Sequence, residues 1–516
     1  MLHKYIPHRK IYLLFLLILL IGISCGKFFM SVGTIGLSAN YLLEGDFNLK
    51  MKRLRNLKFA PLVLSFAFIL HLLFLFNTND FSYAIKDLLI KVPLFALPLI
   101  IGTSASLDKK EKQILIYTFL LGLFFSASMS LLAFFEIIPA KNYSSNFRDI
   151  SFFMSNIRFS ILLAFSFLLC IFLSIKVKEI KLKTILILLS IYFLCVLFIL
   201  QSVTGIIAWF LAFVVLIFWL LCFYKRILPI IISFIFFISA SLYIANVYND
   251  FFSLKDTRDL NALPKKTKLE NNYYHNINSD ITENGYYIWR CISENELRGS
   301  WNKLSKIKFD SLDNKNQRIK NTIYRYLTSK GLNKDAEALS ELDNNDVQRI
   351  ENGTTSAIKY SSIELRLREL FFEYQLFQNN IGFNGHSILQ RIYFFNVGLQ
   401  IAKDNFFFGV GTGDVPTAFM EYYNNSTELD KKNQLRAHNQ FLTYFITYGI
   451  IGFTIWLITI LYPIVVCRKN LNILYVLFLL IIAISFLSDD MLERQAGVAI
   501  YITINSLLLF AIKERA

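Results

Sequence analysis

The chain has 516 residues, 55% of them hydrophobic and 16% aromatic, with a mean hydropathy of +0.47. Those proportions exclude a water-soluble enzyme of this length. The formal charge of +16 is no nucleic-acid signature, because residues 248–437 hold 25 Lys/Arg against 24 Asp/Glu and so contribute about +1 of it.

Apolar runs of 17 or more residues recur and are long enough to cross a hydrocarbon core as helices. In chain order they fall near 11–25, 27–44, 57–76, 84–104, 113–137, 151–175, 183–200, 203–224, 227–247, 439–466, 471–488 and 495–512. The expectation is an all-α polytopic membrane protein of about twelve transmembrane helices, nine before a long polar stretch and three after it. Three domains follow: a membrane domain over residues 1–247, a loop domain over 248–437 and a second membrane domain over 438–516. With the N-terminus inside, the cytoplasmic segments include "HKYIPHRK", "FNLKMKRLRNLK", "DKKEKQ" and "KVKEIKLK", all rich in Lys and Arg. Outside connections such as "FNTNDFSYA" and "SDDMLER" are not. This is the positive-inside pattern, so both termini are expected in the cytoplasm and the large loop outside. The basic excess is then topogenic, and it suits contact with anionic membrane lipids.

The first span reads as an uncleaved anchor, since no small-x-small cleavage site follows its apolar run. Cys25, Cys170, Cys195, Cys222 and Cys467 lie in or beside spans, leaving Cys291 alone in the loop, so no disulfide framework or zinc spacing is expected. Within the loop, "NTIYRYLTSKG", "NDVQRIENG" and "SSIELRLRELFFEYQLFQNNIG" read as helices stopped by Gly331, Gly353 and Gly382. The loop is therefore expected to be a mainly helical cap. His275 and His386 lack His or Cys partners at metal spacing, and no metal or other cofactor is expected.

Ionisable residues gather at one expected depth, the outer lip. His71, Lys91 and Arg158 lie within spans, His438 opens the tenth, and Asp489, Asp490, Glu493 and Arg494 join the last two. Such groups cost roughly 2.5–3.5 kcal/mol on insertion scales and usually face a cavity, a partner or a substrate. Each has a plainer reading. His71 and Lys91 snorkel to headgroups, Arg158 makes a structural ion pair, the acidic turn is a solvated loop, and His438 is an interface anchor. Taken together, cations and an imidazole in a low-dielectric pocket suit the handling of a membrane-bound phosphate ester.

The run "RIYFFNVGLQIAKDNFFFGVGTGDVPTAFMEYY…RAHNQFLTYFITYGIIGF" resembles the C-terminal region of the O-antigen ligase family, which includes O-antigen polymerases and protein O-oligosaccharyltransferases. Arg391, Gly409, Gly411, His438, Asn439 and Gly449 match the family pattern in order. The segments around Lys91, Arg158 and "LSDDMLERQAG" are similar to members from Bacteroidetes-type bacteria. Where many members carry Arg in a Ser-Arg-x-Gly element, this chain has Ser202-Val203-Thr204-Gly205, so a phosphate-binding role there falls to Arg158 or another cation.

The resemblance implies a metal-independent, inverting glycosyltransferase on the periplasmic side of a bacterial inner membrane. Its donor is a polyprenyl-diphosphate-linked glycan, and its acceptor is a hydroxyl on lipid A-core, a second glycan or a protein. The expected catalytic residues are His438, Arg391 and Arg158. The arginines bind the diphosphate, and His438 takes the acceptor's proton or orients the diphosphate. Lys91, Asn439 and Arg436 are the expected substrate-binding residues. Asn439 fixes the imidazole tautomer or caps the helix, and Arg436 serves as a rim cation. The "GVGTGD" turn has neither the preceding strand nor the Gly-Lys-Ser/Thr of a phosphate cradle, so it is expected to be a tight turn setting Arg391 against His438. O-antigen ligation is the leading expectation, with polymerisation and protein glycosylation as alternatives. A polysaccharide or lipid transporter accounts for the spans, but it predicts a symmetry of broken helices in paired halves that the sequence lacks.

Overall fold

The computed structural model describes residues 7–139, 150–224, 228–379, 387–424 and 434–511. It is built almost wholly of helices: α1 (His8–Cys25), α2 (Lys27–Glu44), α3 (Phe47–Asn56), α4 (Ala60–Leu73), α5 (Phe81–Thr103), α6 (Lys109–Phe134), α7 (Asn156–Lys176), α8 (Ile180–Ile199), α9 (Val203–Tyr224) and α10 (Leu228–Phe252). Next come α11 (Glu294–Leu304), α12 (Ile319–Ser329), α13 (Ala336–Ser340), α14 (Asn344–Glu351) and α15 (Ser362–Gln378). The chain ends with α16 (Ser387–Asp404), α17 (Val415–Asn424), α18 (Gln440–Val466), α19 (Ile473–Ser488) and α20 (Gln495–Ser506). All twelve segments expected to span are helical. Seven helices among the described residues are long and apolar enough to cross a membrane: α1, α4 with its following turn, α6, α7, α8, α9 and α18. Helix α5 carries Lys86, Asp87 and Lys91 in its first half, while α19 and α20 are apolar but shorter.

The helices group into two compact units. The first joins the N-terminal helices to Arg391–Ala516. Its central helix is α7, in which nearly every side chain from Arg158 to Cys170 is buried. Local chemistry explains its helix starts. Asp80 accepts from Tyr83 N at the head of α5, Asp108 and Glu111 form a capping box on α6, and Asn472 caps α19.

The second unit is built around Ile231–Gln390. Trp301, Phe309, Ile323, Tyr326, Leu327 and Ile350 are fully buried at its centre, and the Trp301 indole donates to Ile307 O at 2.8 Å. Helices α12 and α14 end as the sequence implies, with Gly331 and Gly353 in the left-handed region at φ 74° and 70°. Gly382 and His386 lie outside the described residues. A two-stranded hairpin is the feature the helical reading lacked, pairing β1 (Thr282–Glu283) with β2 (Tyr286–Tyr287). Its turn is Asn284-Gly285, both at positive φ, which is the residue pair that favours a tight hairpin.

Candidate active site

The site belongs to the first unit and is assembled around the turn between α19 and α20. Taken alone, that turn has a solvated loop as its plainer reading. Instead Asp489 and Asp490 are buried, at 8% and 7% exposure, and Glu493 is nearly so. A buried carboxylate must be paired or hydrogen-bonded, and each of the three has different partners.

Glu493 receives the Lys91 ammonium at 3.0 Å, the Arg436 guanidinium at 2.9 Å and the Gln440 amide at 3.4 Å. Gln440 also accepts from Leu492 N at 2.6 Å, which fastens the turn to the head of α18. Lys91 is shared with Asp87, one helical turn earlier on α5, at 2.8 Å. His71 on α4 closes the group, with its Nδ1 3.6 Å from Asp87 and its Nε2 3.3 Å from the Tyr444 hydroxyl. Burial raises the Glu493 carboxyl, but Lys91 and Arg436 outweigh it and hold the group below the usual carboxylate range. Two cations and two carboxylates therefore balance inside the bundle. Lys91 and His71 do not snorkel, being 1% and 0% exposed.

Asp490 holds the backbone. One oxygen accepts from the Thr443 hydroxyl at 2.6 Å, and the other from His438 N at 3.2 Å. Burial pushes its carboxyl up against the Thr443 hydrogen bond. His438 needs such an anchor, because its φ of 50° puts a bulky residue in the left-handed region. Asn439 is the helix cap, accepting from Leu442 N at 2.9 Å and donating to Leu487 O at 3.2 Å. Of its two expected roles, capping is the one its contacts display.

Asp489 lies between the catalytic candidates. Its Oδ2 accepts from Arg158 Nη2 at 2.9 Å, and its Oδ1 is 3.9 Å from His438 Nδ1. Arg158 also donates to Ser155 Oγ at 2.9 Å. Burial raises the Asp489 carboxyl, but His438, Arg158 and Arg391 more than offset it and hold the group below the usual range. Arg391, in the first turns of α16, adds to the positive field at the same carboxylate. Phe394, three residues on, packs its ring 5.9 Å from the His438 ring. Arg158 and His438, distant in sequence, meet at Asp489, and Arg391 lies one helical turn before the ring that packs against His438. Lys91 and Arg436 form the adjoining paired group, and Arg436 also donates to the Tyr83 hydroxyl.

The glycine turn supports this arrangement through a broken helix. At Gly449, α18 departs from helical geometry with φ 61° and ψ −170°. The carbonyls of Ile446 and Thr447, freed by the break, accept from Val410 N at 2.8 Å and Gly411 N at 3.0 Å. A side chain at Gly449 would meet the Phe407 backbone at 2.3 Å, and one at Gly411 would meet Asn77 O at 2.2 Å. Gly413 N donates to Thr78 Oγ1, and Asp414 accepts from the backbone of Asn79 and Asp80, both at 2.7 Å. The turn's N–H groups are thereby engaged within the protein, as expected of a structural turn rather than a phosphate cradle.

Ser202, at the departure from the family pattern, shares a 2.8 Å hydrogen bond with Ser160, two residues along α7 from Arg158. Among the described residues no group of three or more His, Cys, Asp and Glu side chains is placed to hold a metal ion. Sequence reasoning did not single out Asp87 or the pairing role of the acidic turn. The signal for Asp87 was its i, i+4 spacing to Lys91.

A multi-helix bundle with buried, paired charge around one half-buried imidazole defines a membrane protein with a polar site at one end of its helices. Residues 347–457 match the family model described as O-antigen ligase. The matched stretch holds Arg391, the glycine turn, His438 and the Gly449 break, while Lys91, Arg158 and the acidic turn lie outside it. The match points to glycan transfer of the ligase or polymerase type, with a glycan donor and an acceptor. No curated protein matches the chain.

Proposed function

We propose that this protein is an O-antigen ligase, moving a glycan from a polyprenyl-diphosphate carrier to a hydroxyl of lipid A-core on the periplasmic face of the inner membrane. In this reading twelve helices span, both termini are cytoplasmic and residues 248–437 form the periplasmic cap. The observation that carries it is the meeting of Arg158 and His438 at one carboxylate, Asp489, with Arg391 one helical turn from Phe394, whose ring packs against His438: a cationic seat for an anion at the end of a membrane bundle.

The diphosphate oxygens take the place of Asp489's contact with the Arg158 guanidinium and engage Arg391 as well, because the forked donors of arginine match phosphate geometry. As the bond from the anomeric carbon to the phosphate oxygen breaks, negative charge grows on the leaving diphosphate, and the two arginines stabilise it. The acceptor oxygen attacks the opposite face, so configuration inverts. Its proton passes to His438 Nε2, since Nδ1 is the nitrogen facing Asp489. Lys91, enclosed by two carboxylates, sets the position of the acidic turn instead of touching phosphate. The surface glycans of a deletion strain test the choice of acceptor. Loss of long chains from lipid A supports ligation. Single-repeat caps on lipid A would instead make the protein a polymerase, and lost glycoprotein staining a protein glycosylating enzyme.

A further inference from the structure

At the other end of the first unit, twelve residues along α5 from Lys91 and so about 18 Å away by helical rise, lies a cavity of about 420 Å³. The ends of α1, α2 and α5, the head of α6 and the short helix α3 enclose it. Several of its charges are already committed. Arg9 donates to Glu111 at 2.8 Å, to Ala105 O at 2.9 Å and to Ser106 O at 3.1 Å, while Asp108 caps α6. Lys50 is buried, bonded to Tyr41 O at 2.7 Å and Glu44 at 2.9 Å, with its ammonium 3.8 Å from the Tyr41 ring centroid.

Two groups are open to a ligand. Among the described residues Arg53 has one hydrogen bond, to Thr103 O at 2.9 Å, which leaves most of its five donors unused. Asp46 is exposed, and its carboxylate makes no cap bond to α3. The wall holds carboxylates as well as cations, which opposes a purely anionic ligand, while Arg53 opposes a bare cation. A molecule carrying both signs satisfies both. Helix α3 beside the cavity is amphipathic, with Phe47 and Met51 exposed at 57% and 44% one turn apart and exposed Lys52 and Arg55 following them. Apolar residues flanked by basic ones suit a helix for a lipid interface.

We propose that this cavity binds the headgroup of a zwitterionic phospholipid with a primary ammonium, of the phosphatidylethanolamine type. Arg53 takes the phosphodiester, and Asp46 takes the ammonium. The acyl chains run along the exposed apolar residues of α3.

The test is native mass spectrometry of the full chain released from nanodiscs of phosphatidylethanolamine and phosphatidylglycerol in equal parts. Retained phosphatidylethanolamine in excess over phosphatidylglycerol is expected. Arg53→Ala should cut retention about tenfold, the loss expected for one charge-assisted contact. Asp46→Asn, at an exposed position, should weaken phosphatidylethanolamine and leave phosphatidylglycerol unchanged. Melting temperature, followed in parallel, keeps a folding defect from counting as lost binding. Equal retention of both lipids, or full retention in folded forms of both variants, would overturn the proposal. So would displacement by soluble glycerophosphoethanolamine with no lipid retained, which would make the ligand a free solute.

Discussion

His438 keeps its backbone in the left-handed region because Asp490 accepts its N–H and Thr443 holds the same carboxylate. That conformation costs about 1–2 kcal/mol and sets the imidazole between Phe394 and Asp489. His438→Ala should lower transfer by roughly 10²–10⁴-fold while a labelled lipid-diphosphate glycan is still retained. Unchanged turnover would return the residue to the part of an interface anchor. Arg436 gives the opposite lesson. As a rim cation its removal should be mild, yet it is paired with buried Glu493 at 2.9 Å. Arg436→Ala leaves that carboxylate one donor short and should cost about 1–3 kcal/mol, read as a lowered melting temperature in detergent. Glu493 also gives the turn a pH dependence. Its folded pKa is depressed, so its contribution is fully present above the ordinary glutamate pKa and is lost as pH falls through the lower folded value. The stability gap between wild type and Glu493→Gln should therefore hold from pH 7 to about 5 and narrow below about 4. A gap that widened on acidification would contradict the pairing.

Among the elements, α18 has the greatest consequence. Its break at Gly449 frees two carbonyls that the turn at Val410 and Gly411 takes up, which ties α16 and α18 together beside Arg391 and His438. Gly449→Ala requires a Cβ at positive φ, 2.3 Å from the Phe407 backbone. It should cost several times more than Gly299→Ala, where an added Cβ meets nothing within 4 Å and α11 gains helix propensity. Equal membrane yields and equal melting temperatures for the two variants would show that the break is not held by this packing. The elements were largely legible in sequence, because apolar runs and helix-stopping glycines such as Gly331 and Gly353 are local signals. The break was not legible, since Gly449 sits in an uninterrupted apolar run and departs from helix only because the turn supplies donors from elsewhere. The burial of Asp489, Asp490 and Glu493 was hidden for the same reason. Four charges in six residues read as a solvated loop until Arg158, Lys91 and Arg436 arrive from other helices. Shared depth, read from the sequence, groups Arg158 with His438, but depth cannot say which carboxylate joins them.

For the whole molecule, the orientation proposed from positive-inside charge places residues 248–437 in the periplasm. A cysteine introduced at exposed Asn316 should react with a membrane-impermeant maleimide in intact spheroplasts. Labelling only after lysis would put the cap, and the site with it, on the wrong side for a periplasmic acceptor. The central claim is that two arginines and one histidine move a glycan off a lipid diphosphate. It is tested most directly with purified protein in vesicles, supplied with a polyprenyl-diphosphate glycan and lipid A-core and assayed for the joined product. The account predicts transfer by the wild type with inversion at the anomeric carbon. It also predicts a sharp loss in Arg158→Lys and Arg391→Lys at normal protein abundance, because lysine keeps the charge but not the fork. Full transfer by both lysine variants, or vesicles that move the donor across the membrane without joining it to anything, would contradict it.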